Sequence, residues 1–308
     1  MTAAASRLAI VDAHQHFWDP RINHHPWLCD EPPIPFRYGD YSALRRPYLP
    51  GDYRRDSARF DVVASVYVEA EWREGAAVDE LEYIAGLRRE SGLPSVAVAQ
   101  AWLDRPDVEK QLERLAAFDF VRSVRHKPRS NAAPGGPPGG LADAAWLRGF
   151  EALARRQLRF DLQTPWWHLH EAAALARRFP EVQVIVNHAA LPADRSAEGL
   201  AGWQSAVRGA AQCPNIAMKI SGLGVRGRPW TAQANRGIVL AAIEAFGVER
   251  CVFASNFPVD GLCASFDQVF DGFADIVRDL AEVERRALFH DNAIRLYDIP
   301  FPLKASGA

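Results

Sequence analysis

Eight short apolar runs are spaced along nearly the whole chain, and each of them ends in polar residues. The runs consist mainly of Val, Ile, Ala and Phe with little polar alternation, a pattern typical of parallel strands that are buried on both faces. They cover residues 8–17, 62–72, 95–103, 120–128, 158–165, 182–190, 216–224 and 251–258. We therefore predict eight parallel strands.

Stretches with helical periodicity separate most of these runs. They cover residues 78–92, 107–118, 144–157, 170–181, 199–212 and 235–247. Gly92 and Gly247 stand where two of these helices should end, because glycine readily adopts the conformation that closes a helix. The alternation favours an α/β fold of the (β/α)8 TIM-barrel type over a doubly wound open sheet, with a two-domain split as a third alternative. We therefore treat residues 1–308 as a single barrel domain.

Two segments do not follow this alternation. Residues 24–52 are rich in proline and aromatic residues and follow the first strand, where the first βα loop of a barrel would lie over the active-site face. We interpret this segment as a lid-like insertion, with a long packed surface loop as the alternative. Residues 281–299 predict one or two helices, which we expect to pack against the outside of the barrel.

Composition excludes several function classes. The 308 residues are 48% hydrophobic and carry a formal net charge of −2, so the chain has no basic surface field to hold nucleic acid or an anionic membrane. The four cysteines lack metal-site or disulfide spacing, and no signal peptide or apolar span is evident. We expect a cytoplasmic enzyme with a small-molecule partner and no nucleic-acid or membrane partner. The oligomeric state stays open, with a homodimer as one option.

The first run ends in the sequence "DAHQH", which contains two histidines separated by one residue. In a regular strand alternate side chains share one face, so His14 and His16 should lie together with Asp12 behind them. This geometry suits a metal-ligand or catalytic pair. A single strand-end motif is equally well explained as a loop cap, so the other strands must supply the rest of a site.

Every other predicted strand also ends in polar or aromatic side chains. In a barrel these ends converge on one open face, where such enzymes carry out their chemistry. The strand-end residues include Glu69, Glu71, Gln100, Trp102, Arg125, His126, Lys127, Gln163, Trp166, Asn187, His188, Lys219, Ser221, Ser255 and Asn256. We predict an active site there, interpret Glu71 as a structural ion-pair partner, and expect the remaining histidines to be solvated: His24, His25, His168, His170 and His290.

The motifs resemble a known enzyme family. His-x-His after the first strand, "VNH" followed by "LP" after the sixth, and "FASNFPVDG" at the eighth are similar to the amidohydrolase superfamily. The closer resemblance is to its amidohydrolase-2 branch, which includes the sugar-lactone and pyrone-dicarboxylate lactonases. It covers essentially the whole chain. It implies a distorted barrel and the addition of water to the carbonyl of a small lactone that carries hydroxyl or carboxylate groups.

The chain departs from this family pattern at three strand ends. Members usually carry an aspartate at the eighth strand as the base that activates water, whereas this chain has Asn256, and an amide is not a base near neutral pH. The fifth strand ends in Gln163 rather than a histidine. Lys127 lies between arginines, which favours anion binding over the bridging of two metals.

The ligand supply leaves two alternatives for a cofactor. His14, His16 and His188 could provide the three protein ligands of one divalent cation such as Zn²⁺, with Glu69 or Asn256 as an extra oxygen donor. Because an anionic ligand is missing, a metal-free site is an equal alternative, and a binuclear centre is disfavoured.

These residues suggest roles in lactone hydrolysis. His14, His16 and His188 would polarise the carbonyl, directly as donors or through a metal, with Glu69 as the first candidate for the base and Asp260 as the second. Asn256 is counted with them among the catalytic residues. We expect the substrate to contact Trp102, Arg125, Lys127, Gln163, Trp166 and Lys219. The alternatives are a metal-dependent decarboxylase or hydro-lyase of the same superfamily, and a barrel that binds a ligand without catalysis.

Overall fold

Eight parallel strands form one sheet, and their order in the sheet follows their order in the chain. The computed structural model describes residues 9–300. The strands are β1 (Ala9–Gln15), β2 (Asp61–Val68), β3 (Val96–Gln100), β4 (Val121–Arg125), β5 (Arg159–Leu162), β6 (Val184–Val186), β7 (Ile216–Ile220) and β8 (Cys251–Phe253). All eight predicted strands are present, and the predicted runs extend past them into the loops that carry polar residues.

Hydrogen bonds between β1 and the segment after β8 bring the two ends of the sheet together. The backbone N–H of His16 donates to the carbonyl of Phe257 at 2.8 Å, and that of Asn256 donates to the carbonyl of His14 at 2.8 Å. These contacts lie beyond the last residue of β8, so the barrel is irregular at this junction. The ring-like order of strands confirms the TIM-barrel prediction over an open sheet.

Helices alternate with the strands and surround the barrel. They are α1 (Pro26–Cys29), α2 (Pro50–Asp56), α3 (Ala77–Ser91), α4 (Val108–Ala116), α5 (Ala144–Arg155), α6 (Leu169–Arg178), α7 (Ala197–Ala211), α8 (Ala232–Phe246), α9 (Phe266–Ile276), α10 (Glu282–Arg286) and α11 (Asn292–Tyr297). The six predicted helices correspond to α3–α8, and Gly92 follows α3 at φ 77° as expected. Within residues 9–300, no helix is long and apolar enough to cross a membrane.

The apolar core has two parts. The larger part packs the outward faces of the strands against the helices. The smaller part joins strand residues to α11, and its members include Val11, Val66, Val98, Ala217, Val252, Leu296 and Tyr297. The Tyr297 hydroxyl donates to Asp161 Oδ1 at 2.8 Å, within the ring of strands. The expectation that the C-terminal helices pack only on the outside is therefore wrong for α11, whose apolar residues join the inner cluster.

Residues 24–52 are held against the end of β1 by a network of contacts. The Trp18 indole N–H donates to the carbonyls of Leu44 and Arg46, at 3.1 and 2.9 Å. Trp18 also forms a backbone bridge with Tyr48. Trp27 stacks on Phe36 with ring centroids 5.9 Å apart. The segment is thus anchored by aromatic packing, and it contributes walls to the cavity described next.

Candidate active site

A cavity with two adjoining lobes lies at the carboxyl ends of the strands. We call the first the reactive lobe. It has a volume of about 230 Å³, and the residues specific to it include His16, Arg37, Gln163, His188 and Asn256. The second, the indole lobe, has a volume of about 370 Å³, and the residues specific to it include Trp72, Gln100, Trp102 and His126. Both lobes share Trp27, Ile34, Glu69, Glu71, Arg125 and Lys127.

Not every predicted site residue reaches this cavity. His14, Lys219 and Asp260 are fully buried and are absent from the described residues that line the two lobes. Trp166 lines a separate groove between α6 and α7 together with Trp167. Most of the predicted strand-end residues therefore line the cavity or, like His14, Lys219 and Ser221, lie directly beneath its lining, whereas Trp166 lies apart.

The two histidines of the first strand belong to a hydrogen-bonded chain. The Lys219 ammonium lies 2.7 Å from Asp161 Oδ1 and 3.4 Å from His14 Nδ1, so it donates to both. His14 then carries its proton on Nε2, which lies 3.2 Å from His16 Nε2. His16 Nδ1 donates to the carbonyl of Val68 at 2.7 Å. This chain orients the two rings and assigns their tautomers.

The histidines of this site are neutral near pH 7. Burial, reinforced by the charge of Arg125, lowers the pKa of His16 to about 3. Burial also lowers the pKa of His14, together with the Lys219 charge, and the pKa of His188, together with the Arg37 charge. His188 Nδ1 lies 2.9 Å from Ser221 Oγ, which leaves Nε2 as its free ring nitrogen. The rings can therefore serve as neutral hydrogen-bonding groups.

Asp12 does not join the histidines as strict strand alternation predicts. The register of β1 against β2 shifts between Asp12 and Gln15. The Asp12 carboxylate accepts hydrogen bonds from Tyr53 of α2 at 2.9 Å and from Ser255 at 2.6 Å. Asp12 therefore links the first strand to α2 and to the segment after β8, and it is not among the described residues that line the cavity.

Several strand ends adopt backbone conformations that are unusual for residues other than glycine. Glu71, His188 and Asn256 have φ angles of 53°, 56° and 55°. Such left-handed residues raise the local energy by about 1–3 kcal/mol and persist where the surrounding structure holds them, often at functional sites. Gly222 has a φ of 62°, and a Cβ atom there would lie 2.6 Å from His188 Nδ1 and 2.8 Å from an Arg37 guanidinium nitrogen. His188 and Arg37 thus converge on the loop after β7.

Asn256 lies between the reactive lobe and Asp260. Its amide N–H donates to Asp260 Oδ1 at 2.6 Å, and the Tyr38 hydroxyl donates to the same oxygen at 2.9 Å. Burial raises the pKa of Asp260 despite these bonds and the nearby Arg37. Asp260, the second candidate for the base, is therefore one residue removed from the lobe, where it orients the Asn256 amide.

Glu69 and Arg125 form a buried ion pair in the wall between the lobes, and each side chain is only 3% exposed. Arg125 also donates to the Glu69 carbonyl at 2.7 Å and to Gln163 Oε1 at 3.1 Å. The second carboxylate oxygen of Glu69 accepts from the Glu71 backbone N–H at 2.8 Å. Three of the five N–H groups of Arg125 are therefore used within the protein, and its charge is balanced by Glu69.

Lys127 pairs with Glu71 at the same wall. Burial by itself would raise the pKa of Glu71, but the charges of Lys127 and Arg125 outweigh it and lower that pKa. This contact matches the structural ion-pair role that the sequence suggested for Glu71.

Arg37 is a cavity residue that the sequence reasoning missed. It lines the reactive lobe, and its side chain is 30% exposed. The guanidinium lies 4.5 Å from the Tyr38 ring centroid and 4.0 Å from Asp260 Oδ1, outside hydrogen-bonding distance. Arg37 lies in the proline-rich segment, where no strand or helix periodicity marks an inward-facing position. It brings a cation with open donors next to His188.

Three histidines that we expected to be solvated are buried. His25 Nδ1 donates to the Ala70 carbonyl at 2.9 Å, and His168 Nδ1 contacts Glu171 Oε1 at 2.7 Å. His290 is only 7% exposed. His25 and His168 also contact residues 45 and 37 positions away in the chain, so local sequence context is a poor guide to their burial.

The donor set does not fit a divalent cation in this arrangement. Within residues 9–300, no group of three or more His, Cys, Asp or Glu side chains could hold a metal ion. His14 and His16 direct their Nε2 atoms at each other, and the Lys219 ammonium keeps the proton of His14 on the atom that would bind metal. The neighbouring carboxylates of Glu69 and Asp260 are hydrogen-bonded to Arg125 and Asn256.

Comparisons with known proteins identify the family of this chain and agree with its fold. A protein-family model described as amidohydrolase (Amidohydro_2) matches residues 11–299. The uncharacterized protein y4mH of Sinorhizobium fredii (strain NBRC 101917 / NGR234) is 37% identical over 298 residues, which cover 96% of this chain and 100% of that protein. An L-fucono-1,5-lactonase of Burkholderia multivorans (strain ATCC 17616 / 249) is 29% identical over 313 residues, covering 96% of this chain and 98% of that protein.

A solved structure is similar over the same extent. The crystal structure of an amidohydrolase from Burkholderia multivorans with bound zinc has a TM-score of 0.77 and 27% identity, and it covers 95% of this chain and 100% of that one. The protein-family model matches residues 11–299, and the order of the eight parallel strands agrees with the fold of this solved structure. The chain therefore belongs to the amidohydrolase family Amidohydro_2.

Proposed function

We propose that this protein is a hydrolase that opens a small lactone, of the sugar-acid or dicarboxylate type, by adding water to the ring carbonyl. The observation that carries the proposal is the composition of the reactive lobe. It presents neutral His16 and His188, the amide of Asn256 and the open guanidinium of Arg37 opposite Glu69. Similarity to a protein named L-fucono-1,5-lactonase supports the same class of substrate.

The reactive lobe supplies donors for a carbonyl oxygen that becomes negative. Arg37 and the ring of His188 are neighbours beside Gly222, so one oxygen can meet both. Lactone carbonyls are more electrophilic than amides, and fixed donors at a developing oxyanion typically contribute about 10²–10³ in rate each. Lys219 does not reach the substrate in this scheme, because it holds the tautomer of His14 from beneath.

Glu69 is the proposed base. It lines the lobe, and its carboxylate takes a proton from the water as the oxygen adds to the carbonyl. When the tetrahedral intermediate collapses, the same proton passes to the ring oxygen that leaves. The product is a hydroxy acid, which loses a proton at neutral pH. No step is assigned to a metal, because the donor set does not fit one.

The charge balance of the reactive lobe suits this product. Its lining contains three cations, Arg37, Arg125 and Lys127, and two carboxylates, Glu69 and Glu71. Arg125 and Lys127, which we predicted as anion-binding residues, are paired with the two glutamates. Arg37 is therefore the proposed partner of the product carboxylate, and Gln163, whose oxygen accepts from Arg125, has amide N–H groups available for a substrate hydroxyl.

A panel of sugar-acid and dicarboxylate lactones tests the activity. Ring opening releases one proton, which a pH indicator detects, and we expect release with at least one member of the panel. Release of carbon dioxide from a hydroxybenzoate, with every lactone untouched, would support the decarboxylase alternative. Binding of a lactone without proton release would support the non-catalytic alternative.

Two matched variants test the base. Glu69→Gln keeps an oxygen for Arg125 but removes the proton acceptor, so kcat should fall at least ~100-fold with the fold intact. Glu71→Gln changes a carboxylate of the same wall that is bonded to Lys127 and should retain most activity. Thermal unfolding checks that both variants fold. Near wild-type turnover by the Glu69 variant would refute the assignment.

A further inference from the structure

The cavity extends beyond the lobe in which the proposed reaction takes place. The reactive lobe of about 230 Å³ contains every residue to which the proposal assigns chemistry. The adjoining lobe of about 370 Å³ shares with it the wall formed by Glu69, Glu71, Arg125 and Lys127. A molecule whose carbonyl lies beside His188 can therefore extend past this wall without leaving the cavity.

Three fixed indoles shape the indole lobe. The Trp27 N–H donates to the Ala70 carbonyl at 3.0 Å. Trp72 stacks on His25, with centroids 5.6 Å apart and planes inclined by 5°. Trp102 packs edge-on against His126 at 5.2 Å. Aromatic faces held in place by neighbours offer a large contact area with little loss of conformational freedom, which suits a ring-shaped ligand.

The charge of the indole lobe disfavours an anionic ring. Its lining contains four carboxylates, from Asp30, Glu69, Glu71 and Glu74, and two cations, Arg125 and Lys127. Arg125 and Lys127 pair with Glu69 and Glu71, and Glu74 pairs with Arg105, so the carboxylate of Asp30 remains as the excess negative charge. The reactive lobe has the opposite balance, with three cations and two carboxylates. Carboxylate oxygens accept hydrogen bonds, so a neutral ring that carries hydroxyl groups fits here better than a ring that carries a carboxylate.

Two polar atoms in the wall of the indole lobe support the same occupant. Gln100 Oε1 and Trp102 Nε1 are buried and have no hydrogen-bond partner among the described residues. One atom is an acceptor and the other is a donor. A hydroxyl group can both donate and accept, so a hydroxyl-bearing ring can satisfy this pair after a small adjustment of the two side chains, whereas a purely apolar ring cannot.

From these observations we propose that the substrate carries a second, neutral, hydroxyl-bearing ring that occupies the indole lobe while the lactone ring lies in the reactive lobe. The chemical class is a glycosyl-substituted aldonolactone. This inference rests on the proposed function for the lactone ring. It goes beyond that function because it assigns a second binding subsite and a larger substrate.

The substrate comparison uses two lactones that differ only in the second ring. Glucono-1,5-lactone and its 4-O-glycosyl derivative are compared by kcat/KM with the wild-type protein. We expect the glycosylated lactone to be preferred about tenfold or more, the value of a well-packed ring contact. Equal values for the two lactones would overturn the second subsite as described.

Variants locate the preference in the indole lobe. Trp102→Leu should lower the ratio of the two kcat/KM values towards one. Trp167→Leu is the matched control, because Trp167 lines the separate groove between α6 and α7, and it should leave the ratio unchanged. An unchanged ratio in the Trp102 variant would contradict the proposed position of the second ring.

A binding measurement separates this inference from the proposed function. The glycosylated and unsubstituted aldonic acids are titrated calorimetrically into the wild-type protein and into the Trp102 variant. A preference for the glycosylated acid that the variant loses supports the subsite even if no lactone is opened, in which case only the proposed hydrolysis fails. Equal affinity of both acids, with lactone opening intact, refutes the second subsite alone.

Discussion

Two arginines face the same cavity, and the structure uses them in opposite ways. Arg125 is 3% exposed and donates hydrogen bonds to the Glu69 side chain, the Glu69 carbonyl and Gln163. Arg37 is 30% exposed, and its nearest acidic oxygen, on Asp260, lies 4.0 Å away. Both are cations close to the reactive imidazoles. The difference shows that a position in the cavity wall does not by itself make an arginine available to a substrate. Arg37, whose donors are unpaired among the described residues, is the better candidate.

Of the substitutions that test this comparison, replacement of Arg125 should have the largest effect, which is a loss of stability. Arg125→Met leaves the buried Glu69 carboxylate without its partner, so the free energy of unfolding should fall by about 3–5 kcal/mol. Denaturant unfolding at neutral pH measures this change. The double variant with Glu69→Gln should recover a large part of the lost stability, since no buried charge then remains unpaired. A single variant as stable as the wild type would contradict the structural role of Arg125.

Removal of Arg37 should affect activity rather than stability. Arg37→Gln should lower kcat/KM for a lactone about 100-fold, because a donor to the developing oxyanion is lost. The free energy of unfolding should change by less than ~1 kcal/mol, since the guanidinium makes no hydrogen bond within the described residues. Steady-state kinetics and denaturant unfolding of the same preparation check both values. A large loss of stability with intact activity would contradict the assignment of Arg37 to the substrate and would indicate a structural role instead.

A smaller effect concerns His126, which follows Arg125 and whose Nδ1 is hydrogen-bonded within the protein. Its Nδ1 accepts from the Leu103 backbone at 3.1 Å and from the Trp146 indole at 3.0 Å. Burial lowers the pKa of His126 below its ordinary 6.5, and the charges of Asp104 and Glu69 only partly offset this. Below pH 6.5 the unfolded chain therefore takes up a proton that the folded chain refuses, and stability falls as the pH falls towards the folded pKa.

The variant His126→Asn isolates this contribution. Asparagine offers an oxygen in the position of Nδ1 but does not titrate. The variant should lose less stability than the wild type between pH 7 and pH 5, by at most ~1.4 kcal/mol per pH unit. Unfolding free energies at the two pH values give the difference. An identical pH dependence in both proteins would show that His126 does not contribute.

The strands were predictable because they are continuous apolar runs, and so was the convergence of their polar ends. The helix α9 was missed, although Ser265 and Gln268 form a capping box that marks its start. The burial of α11 against the inner core and the register shift after Asp12 depend on packing between distant segments, which no local pattern records.

The candidate site was predictable in its residue types but not in its pairing. Glu69 and Arg125 are 56 positions apart, and the sequence does not show that they neutralise each other. Arg37 could not be distinguished from other polar residues of the proline-rich segment, because its position depends on how that segment packs over Tyr38 and Gly222. A long-range contact thus decides which cation is available.

The most direct test of this account is a crystal structure of the protein with the hydroxy-acid product of a lactone that it opens. The account predicts that the carboxylate of the product lies between Arg37 and His188, with the Glu69–Arg125 ion pair undisturbed. A carboxylate bound by Arg125 or Lys127 after displacement of their glutamates, with Arg37 directed away from the product, would contradict it.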